Sequence, residues 1–232
     1  MQIGILTIAF NEQNFIGDCI KQFQDFNVRH LVLISDTPWW GEKTDPDETD
    51  IISTQQGAEV IASSWKNEEE QRNFGMEWLK DCDWILVVDP DERYSKKHIE
   101  HLLNYLNVKA DQPAYGINTI YTYWKDWNHR IEPKENGGLI VAVRPSVRFV
   151  HLRCIDSAWD FLPKEIVMHH GSYIRTNEEM TKKCKQLKFN NELVDNWYEG
   201  KWLGWDRDHT IKDLHPCNPD GFKEIIKCDK PF

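Results

Sequence analysis

The chain has 232 residues, 40% of them hydrophobic, with 38 acidic against 28 basic side chains and a formal net charge of −10. That balance argues against general nucleic-acid binding, which relies on Lys and Arg to neutralise phosphates. No apolar run approaches the roughly 18 residues of a membrane span, and the six scattered cysteines form no Cys-x-x-Cys pair, which argues against a zinc site and for reduced thiols.

The N-terminus runs straight into an apolar segment without the pattern of a secretory leader, so the expected location is cytoplasmic. Ile3 to Phe10 is almost continuously apolar, as a parallel strand buried on both faces should be. A helix follows, with Phe15, Ile16, Cys19, Ile20, Phe23 and Phe26 at helical spacing. His30 to Ser35 reads as a second strand closed by Asp36-Thr37-Pro38, and Trp39 to Asp50 as a long loop. Glu59 to Ser63 reads as a third strand, and Asn67 to Lys80 as a helix with Phe74, Trp78 and Leu79 facing inward. The fourth strand is Trp84 to Val88, and Ser95 to Leu106 is a further helix.

The second half changes character. Ala114 to Trp124 alternates like a strand, Lys134 to Gly138 reads as a turn, and Leu139–Val143, Val147–Cys154 and Glu165–His170 as strands. Thr176-x-x-Glu179 is a capping box opening a helix to about Trp197. The alternation of strand and helix in the first half predicts an α/β fold, a mostly parallel sheet with helices on both faces and right-handed crossovers. The expected division is a domain over 1–198 and a C-terminal helical extension over 199–232 that packs on it. The eleven tryptophans read mostly as core, with exposed platforms for a sugar ring as the sharper alternative. Trp39-Trp40, between Pro38 and Gly41, suits either reading.

Ligands of open parallel sheets bind beyond the carboxyl ends of the strands. Asn11-Glu12, Asp36 and Asp89-Pro90-Asp91 all lie just past such ends and should share one rim. Pro90 pushes Asp89 towards extended geometry. Asp89 and Asp91 then project to a similar side, and two close carboxylates repel unless a cation or a proton sits between them. Oxygen ligands suit Mg²⁺ or Mn²⁺; a solvated acidic turn is the plainer alternative.

The chain resembles the family 2 glycosyltransferases of the GT-A fold, through "ILTIAFNEQNFIGDCI", "NEEEQRNFGMEWLKDCDWILVVDPDERY" and "VMHHGSYIRTNEEMTKK". The resemblance implies a metal-dependent transfer of a sugar from a nucleotide-diphosphate donor, a UDP-sugar by preference, to an acceptor hydroxyl with inversion. It implies Phe10, Asn11, Glu12 and Asp36 at the base and ribose, Arg72 at the diphosphate, and Asp89 and Asp91 at Mn²⁺ or Mg²⁺. Asp89 is also counted among the donor contacts, and His170 is a further metal or phosphate contact. A carboxylate base is expected in "CIDSAWDFLPKEI", with Asp156 favoured, then Asp160. The alternatives are a nucleotidyltransferase, against which "AFNEQNF" lacks a Gly-rich basic loop, and a non-enzymatic carbohydrate-binding protein on a transferase fold.

Overall fold

The computed structural model describes residues 1–39, 43, 45–135, 137–189, 193–217 and 222–232, with only the backbone given for 186–189. Trp40 of the Trp39-Trp40 pair, the flanking Gly41 and Asn136 of the expected turn lie outside the described residues. In chain order the elements are β1 (Ile3–Ala9), α1 (Gln13–Lys21), β2 (Val28–Ser35), α2 (Thr49–Gln55), β3 (Glu59–Ser63), α3 (Glu68–Trp78) and β4 (Trp84–Val87). Then come β5 (Glu92–Arg93), α4 (Lys96–Val108), β6 (Ala114–Ile117), β7 (Thr119–Trp124), β8 (His129–Glu132) and β9 (Leu139–Val143). The remainder is β10 (Phe149–His151), β11 (Cys154–Ile155), β12 (Asp160–Phe161), β13 (Val167–Tyr173), α5 (Asn177–Phe189), a π-helical turn (Tyr198–Trp202), α6 (Leu203–Trp205) and β14 (Glu224–Lys227).

The chain forms two compact units. The first comprises Met1–Thr119 with Asn136–Met168, and the second Ile120–Glu135 with His169–Phe232. A seven-stranded sheet runs through the first in the order β12-β6-β9-β4-β1-β2-β3. Its pairs are parallel except where β9 runs against β4 and β6. The antiparallel insertion reverses one strand between two that end at the same rim.

Because side chains alternate along a strand, the sheet buries two separate apolar faces. Leu6, Ile8, Leu31, Leu33, Ile85 and Val87 face α3, whose Met76 joins their cluster together with Leu79 just beyond its end. Ala9 and Val32 face α1, with Ile16 and Ile20. The expected inward set on α3 needs correction. Phe74 and Trp78 are 40% and 43% exposed, whereas Gln71, Arg72, Gly75 and Met76 are buried. The helix presents small and polar residues to the sheet because it approaches closely and carries the site's arginine. A Cβ on Gly75 would fall inside the Leu6 side chain and 3.1 Å from Leu33 Cδ1.

Other expectations shift at element ends. The acid-rich loop gives way to α2, which sequence reading had missed, and the single strand over Ala114–Trp124 breaks at Asn118 into β6 and β7. Val147–Cys154 folds as part of the β10–β11 hairpin. The capping box forms: Thr176 N donates to Glu179 Oε2 (2.7 Å), and Glu179 N to Thr176 Oγ1 (3.2 Å). Its helix is described through Phe189; residues 190–192 of the expected span lie outside the described residues, and Leu193 and Val194 beyond them are not helical.

The second unit explains most of the later tryptophans. Trp124, Trp197, Trp202 and Trp205 form one buried cluster with Tyr173, Leu214 and Phe222, and Lys125 Nζ sits 3.7 Å from the centre of the Trp202 ring. β14 pairs with β8 within the same unit.

Two stability predictions follow from the first unit. Gly75→Ala should gain helix propensity of up to about 1 kcal/mol yet lose more to overpacking, about 1–3 kcal/mol, and urea melts should show net destabilisation. His30 is buried and shares a 2.9 Å hydrogen bond from Nε2 with Thr7 Oγ1; burial lowers its pKa to about 3. The unfolded chain therefore binds the extra proton first, and stability falls as pH drops from about 6.5 towards 3. Between pH 7 and 5 the wild type should lose about 2 kcal/mol that His30→Gln does not lose.

Candidate active site

Strand β4 is wholly buried and is followed by buried Val88 and then the acidic turn. That turn is fixed from within. Asp89 N donates to Glu92 Oε2 (3.0 Å), folding the glutamate back under the strand end. Arg93 Nη1 donates to the Pro90 carbonyl (2.6 Å) and Nη2 to the Phe15 carbonyl (2.8 Å), which ties the turn to α1. Gln22 adds a bridge, donating to the Glu92 carbonyl and accepting from Tyr94 N.

Two arginines meet behind the turn. Arg153 comes from the tip of the β10–β11 hairpin. Its Nη1 pairs with Glu92 Oε1 at 2.5 Å; its Nη2 reaches Glu92 Oε2 at 3.0 Å and the Val87 carbonyl at 2.9 Å, and lies 3.7 Å from Asp89 Oδ1. Arg72 comes from α3, donating from Nε to Glu68 Oε1 (2.8 Å) and from Nη2 to Asp89 Oδ1 (3.1 Å). Both guanidiniums and the Glu92 carboxylate are buried, while the Asp89 side chain keeps 31% of its surface exposed. Burial pushes the Asp89 carboxyl up, but Arg153 and Arg72 outweigh it and hold the group below the usual carboxylate range.

Arg153 was not among the residues expected at the site, and Glu92, the third acid of the turn, is buried against it. The only local signal was an arginine in a short hairpin, and its destination depends on tertiary packing. The preceding residue, Leu152, takes φ +47°, a left-handed conformation that a bulky residue adopts only when its surroundings impose it. That bend turns Arg153 inward while Leu152 stays partly exposed.

The other expected residues distribute as follows. Asn11 takes φ +54° at the end of β1, and its side chain holds the 45–47 segment, donating to the Asp45 carbonyl and accepting from Asp47 N. Glu12 N donates to Thr49 Oγ1. Phe10 stands beside them, half-buried. Asp36 is exposed beyond β2 and accepts from Ser64 Oγ at 2.5 Å. Asp91 is buried next to Asp89. Trp39 donates to Gln71 Oε1 at 3.0 Å and packs on the sheet core, which favours the core reading for this tryptophan.

Asp156 is exposed and accepts from Arg148 N (3.1 Å) and Ser157 Oγ (3.2 Å), closing the hairpin. Asp160 is exposed on β12 and accepts from Phe161 N. Burial, then Tyr115, raise the Tyr105 phenol on α4, and Asp160 adds to that shift. His170 lies half-buried on β13 in the second unit, beside His169, whose Nδ1 shares a 2.8 Å hydrogen bond with Tyr123 Oη.

A Mg²⁺ or Mn²⁺ site needs hard oxygen donors, and it draws the rest of its shell from substrate phosphates and water. The turn carries such donors in Asp89 and Asp91, with Asp89 shared with Arg72. Among the described residues no three His, Cys, Asp or Glu side chains converge as a closed metal cage, and an open site of this kind requires none. Buried Arg72 Nη1 and Arg153 Nε have no hydrogen-bond partner among the described residues.

Breaking a buried ion pair from one side strands the other charge, which costs about 3–5 kcal/mol. Arg153→Met should therefore destabilise the chain by about that much, and Glu92→Gln by less. Joint replacement should cost less than the sum of the two, as read by chemical denaturation.

Residues 4–171 match the family described as Glycosyl transferase family 2. Two relatives, each described as an uncharacterized glycosyltransferase, come from Rickettsia bellii (strain RML369-C) and Rickettsia felis (strain ATCC VR-1525 / URRWXCal2). They are 29% and 30% identical over 133 residues, 56% of this chain and 42% and 44% of their own lengths. The match thus spans less than half of those relatives. Among solved structures, the mannosyltransferase PcManGT from Pyrobaculum calidifontis, in complex with GDP-Man and Mn²⁺, aligns with TM-score 0.50 at 9% identity, over 81% of this chain and 62% of its own. GalNAc-T7 with UDP, GalNAc and Mn²⁺ aligns with TM-score 0.51 at 10% identity, over 89% and 50%. The expected architecture is thereby met, and the chain belongs to the family 2 glycosyltransferases, with the GT-A fold.

Proposed function

We propose that this chain is a metal-dependent glycosyltransferase that moves a sugar from a nucleotide-diphosphate donor, a UDP-sugar by preference, to an acceptor hydroxyl with inversion. The observation that carries the reading is the strand tip: Asp89 held ionised by Arg72 and Arg153, with Asp91 beside it on the same rigid turn. The two aligned structures hold a nucleotide or nucleotide sugar together with Mn²⁺, which supports a divalent cation here.

In this reading Asp91 and Asp89 hold the cation together, with Asp89 also paired to Arg72. The cation, once bound, stabilises negative charge developing on the leaving diphosphate. Phe10, Asn11, Glu12 and Asp36 border the base and ribose from the ends of β1 and β2. Arg72 contributes through Nη1, a buried donor with no hydrogen-bond partner among the described residues and suited to a phosphate oxygen, while its other nitrogens hold Asp89 and Glu68. Asp156 takes the proton of the acceptor hydroxyl, with Asp160 as the other candidate. Asp156 is favoured because its hairpin also carries Arg153, so base and strand tip share one support.

The test is a thermal-shift and calorimetric titration with Mn²⁺ and a panel of UDP-, GDP- and dTDP-sugars. One donor should bind only with the metal, and Asp91→Asn should leave the melting profile near wild type while lowering metal-dependent turnover about 100-fold or more. No response to any nucleotide sugar would sink the proposal.

A further inference from the structure

The Trp159 side chain is a large apolar group that the fold leaves open. It is 41% exposed, and Phe161, 44% exposed, meets it edge to face with ring centres 5.0 Å apart. Beneath it lie two glycines. A Cβ on Gly116 would come within 3.0 Å of Trp159 Cζ3, and one on Gly138 would fall inside the indole. The indole can lie on the sheet there only because both positions lack side chains. It is therefore a seated ring with one covered side, unlike a side chain swinging in solvent.

Strand register locates it. Leu86 is level with Ala142 and Tyr115 with Ala142, while Ile117 is level with Leu139 and Phe161 with Gly116. Continuing past Leu86 along β4 leads to Asp89, and continuing along β6 to Gly116 and Ile117 leads to the same rim. The indole thus rests about two strand spacings from β4, roughly 10 Å across the sheet. Ala114, two residues before Gly116, belongs to the same apolar face as Val87 and Phe149, the face from which Arg72 of α3 reaches Asp89.

From this placement we infer that Trp159, with Phe161 at its edge, is an acceptor-side platform that stacks against the apolar face of a pyranose ring. The inference deepens the acceptor half of the proposed function and rests on that reading. Chemistry selects the occupant. The chain carries a net charge of −10, and the exposed Asp156 and Asp160 flank the platform in sequence, so a polyanion or an anionic lipid surface is disfavoured. A neutral saccharide pairs a flat C–H face for the indole with hydroxyls for the carboxylates.

The test uses the full chain labelled with fluorotryptophan, with the Trp159 resonance assigned through Trp159→Phe. Methyl glucopyranoside, galactopyranoside and mannopyranoside are titrated by ¹⁹F NMR, with acyclic sorbitol as the control. Trp78, 43% exposed and stacked on Phe74 of α3, is an internal reference of equal exposure. A saturable shift at Trp159 with at least one pyranoside, absent at Trp78 and with sorbitol, is expected, and Phe161→Ala should weaken that binding roughly two- to tenfold. A silent Trp159, or equal shifts at Trp78 or with sorbitol, would overturn the inference. The nucleotide-sugar titration on the same sample reads the donor half separately, so a working donor site beside a silent Trp159 would refute the platform alone, and the reverse would refute the donor reading.

Discussion

The buried pair between Arg153 and Glu92 is the constraint on which the site depends. Glu92 is almost wholly buried and would be intolerable there as an unpaired anion. Arg153 supplies two hydrogen bonds to it and a third to the Val87 carbonyl. Glu92 in turn accepts from Asp89 N. Each group is placed by another, so the acidic turn has one geometry. Such a network contributes little net stability against an apolar replacement of the same shape. It holds charged groups at a strand end in a single arrangement.

The site also joins segments that are distant in the chain. Arg72 arrives on a helix, Asp89 at the end of a strand, and Arg153 on a hairpin bent through a left-handed Leu152. The strain at Leu152 is of the order of 1–3 kcal/mol and is offset by the hydrogen bonds that Arg153 makes once turned inward. Asn73 fastens the same hairpin to α3, donating to the Phe149 carbonyl and accepting from Phe149 N. Helix, hairpin and strand tip are thus fastened to one another.

The tryptophans divide between two physical roles. Those at 124, 197, 202 and 205 build the core of the second unit, where an indole buries more surface than any aliphatic side chain. Trp159 is open on one side and lies on a floor of glycines. Composition counts both kinds alike; only burial separates them.

By itself the sequence determined the parallel frame, because strands buried on both faces leave continuous apolar runs and helices leave a 3.6-residue period, both visible at Ile3–Ala9, Trp84–Val87 and Lys96–Val108. It also marked the acidic turn, since a proline between two aspartates at a strand end is local information. Tertiary structure alone decided which face of α3 meets the sheet, because the close approach at Gly75 reverses what hydrophobicity suggests for Phe74 and Trp78. It alone brought Arg153 to Glu92 across 61 positions of chain. A charge's partner is set by where the folded backbone delivers it, and no periodicity in the sequence encodes that distance.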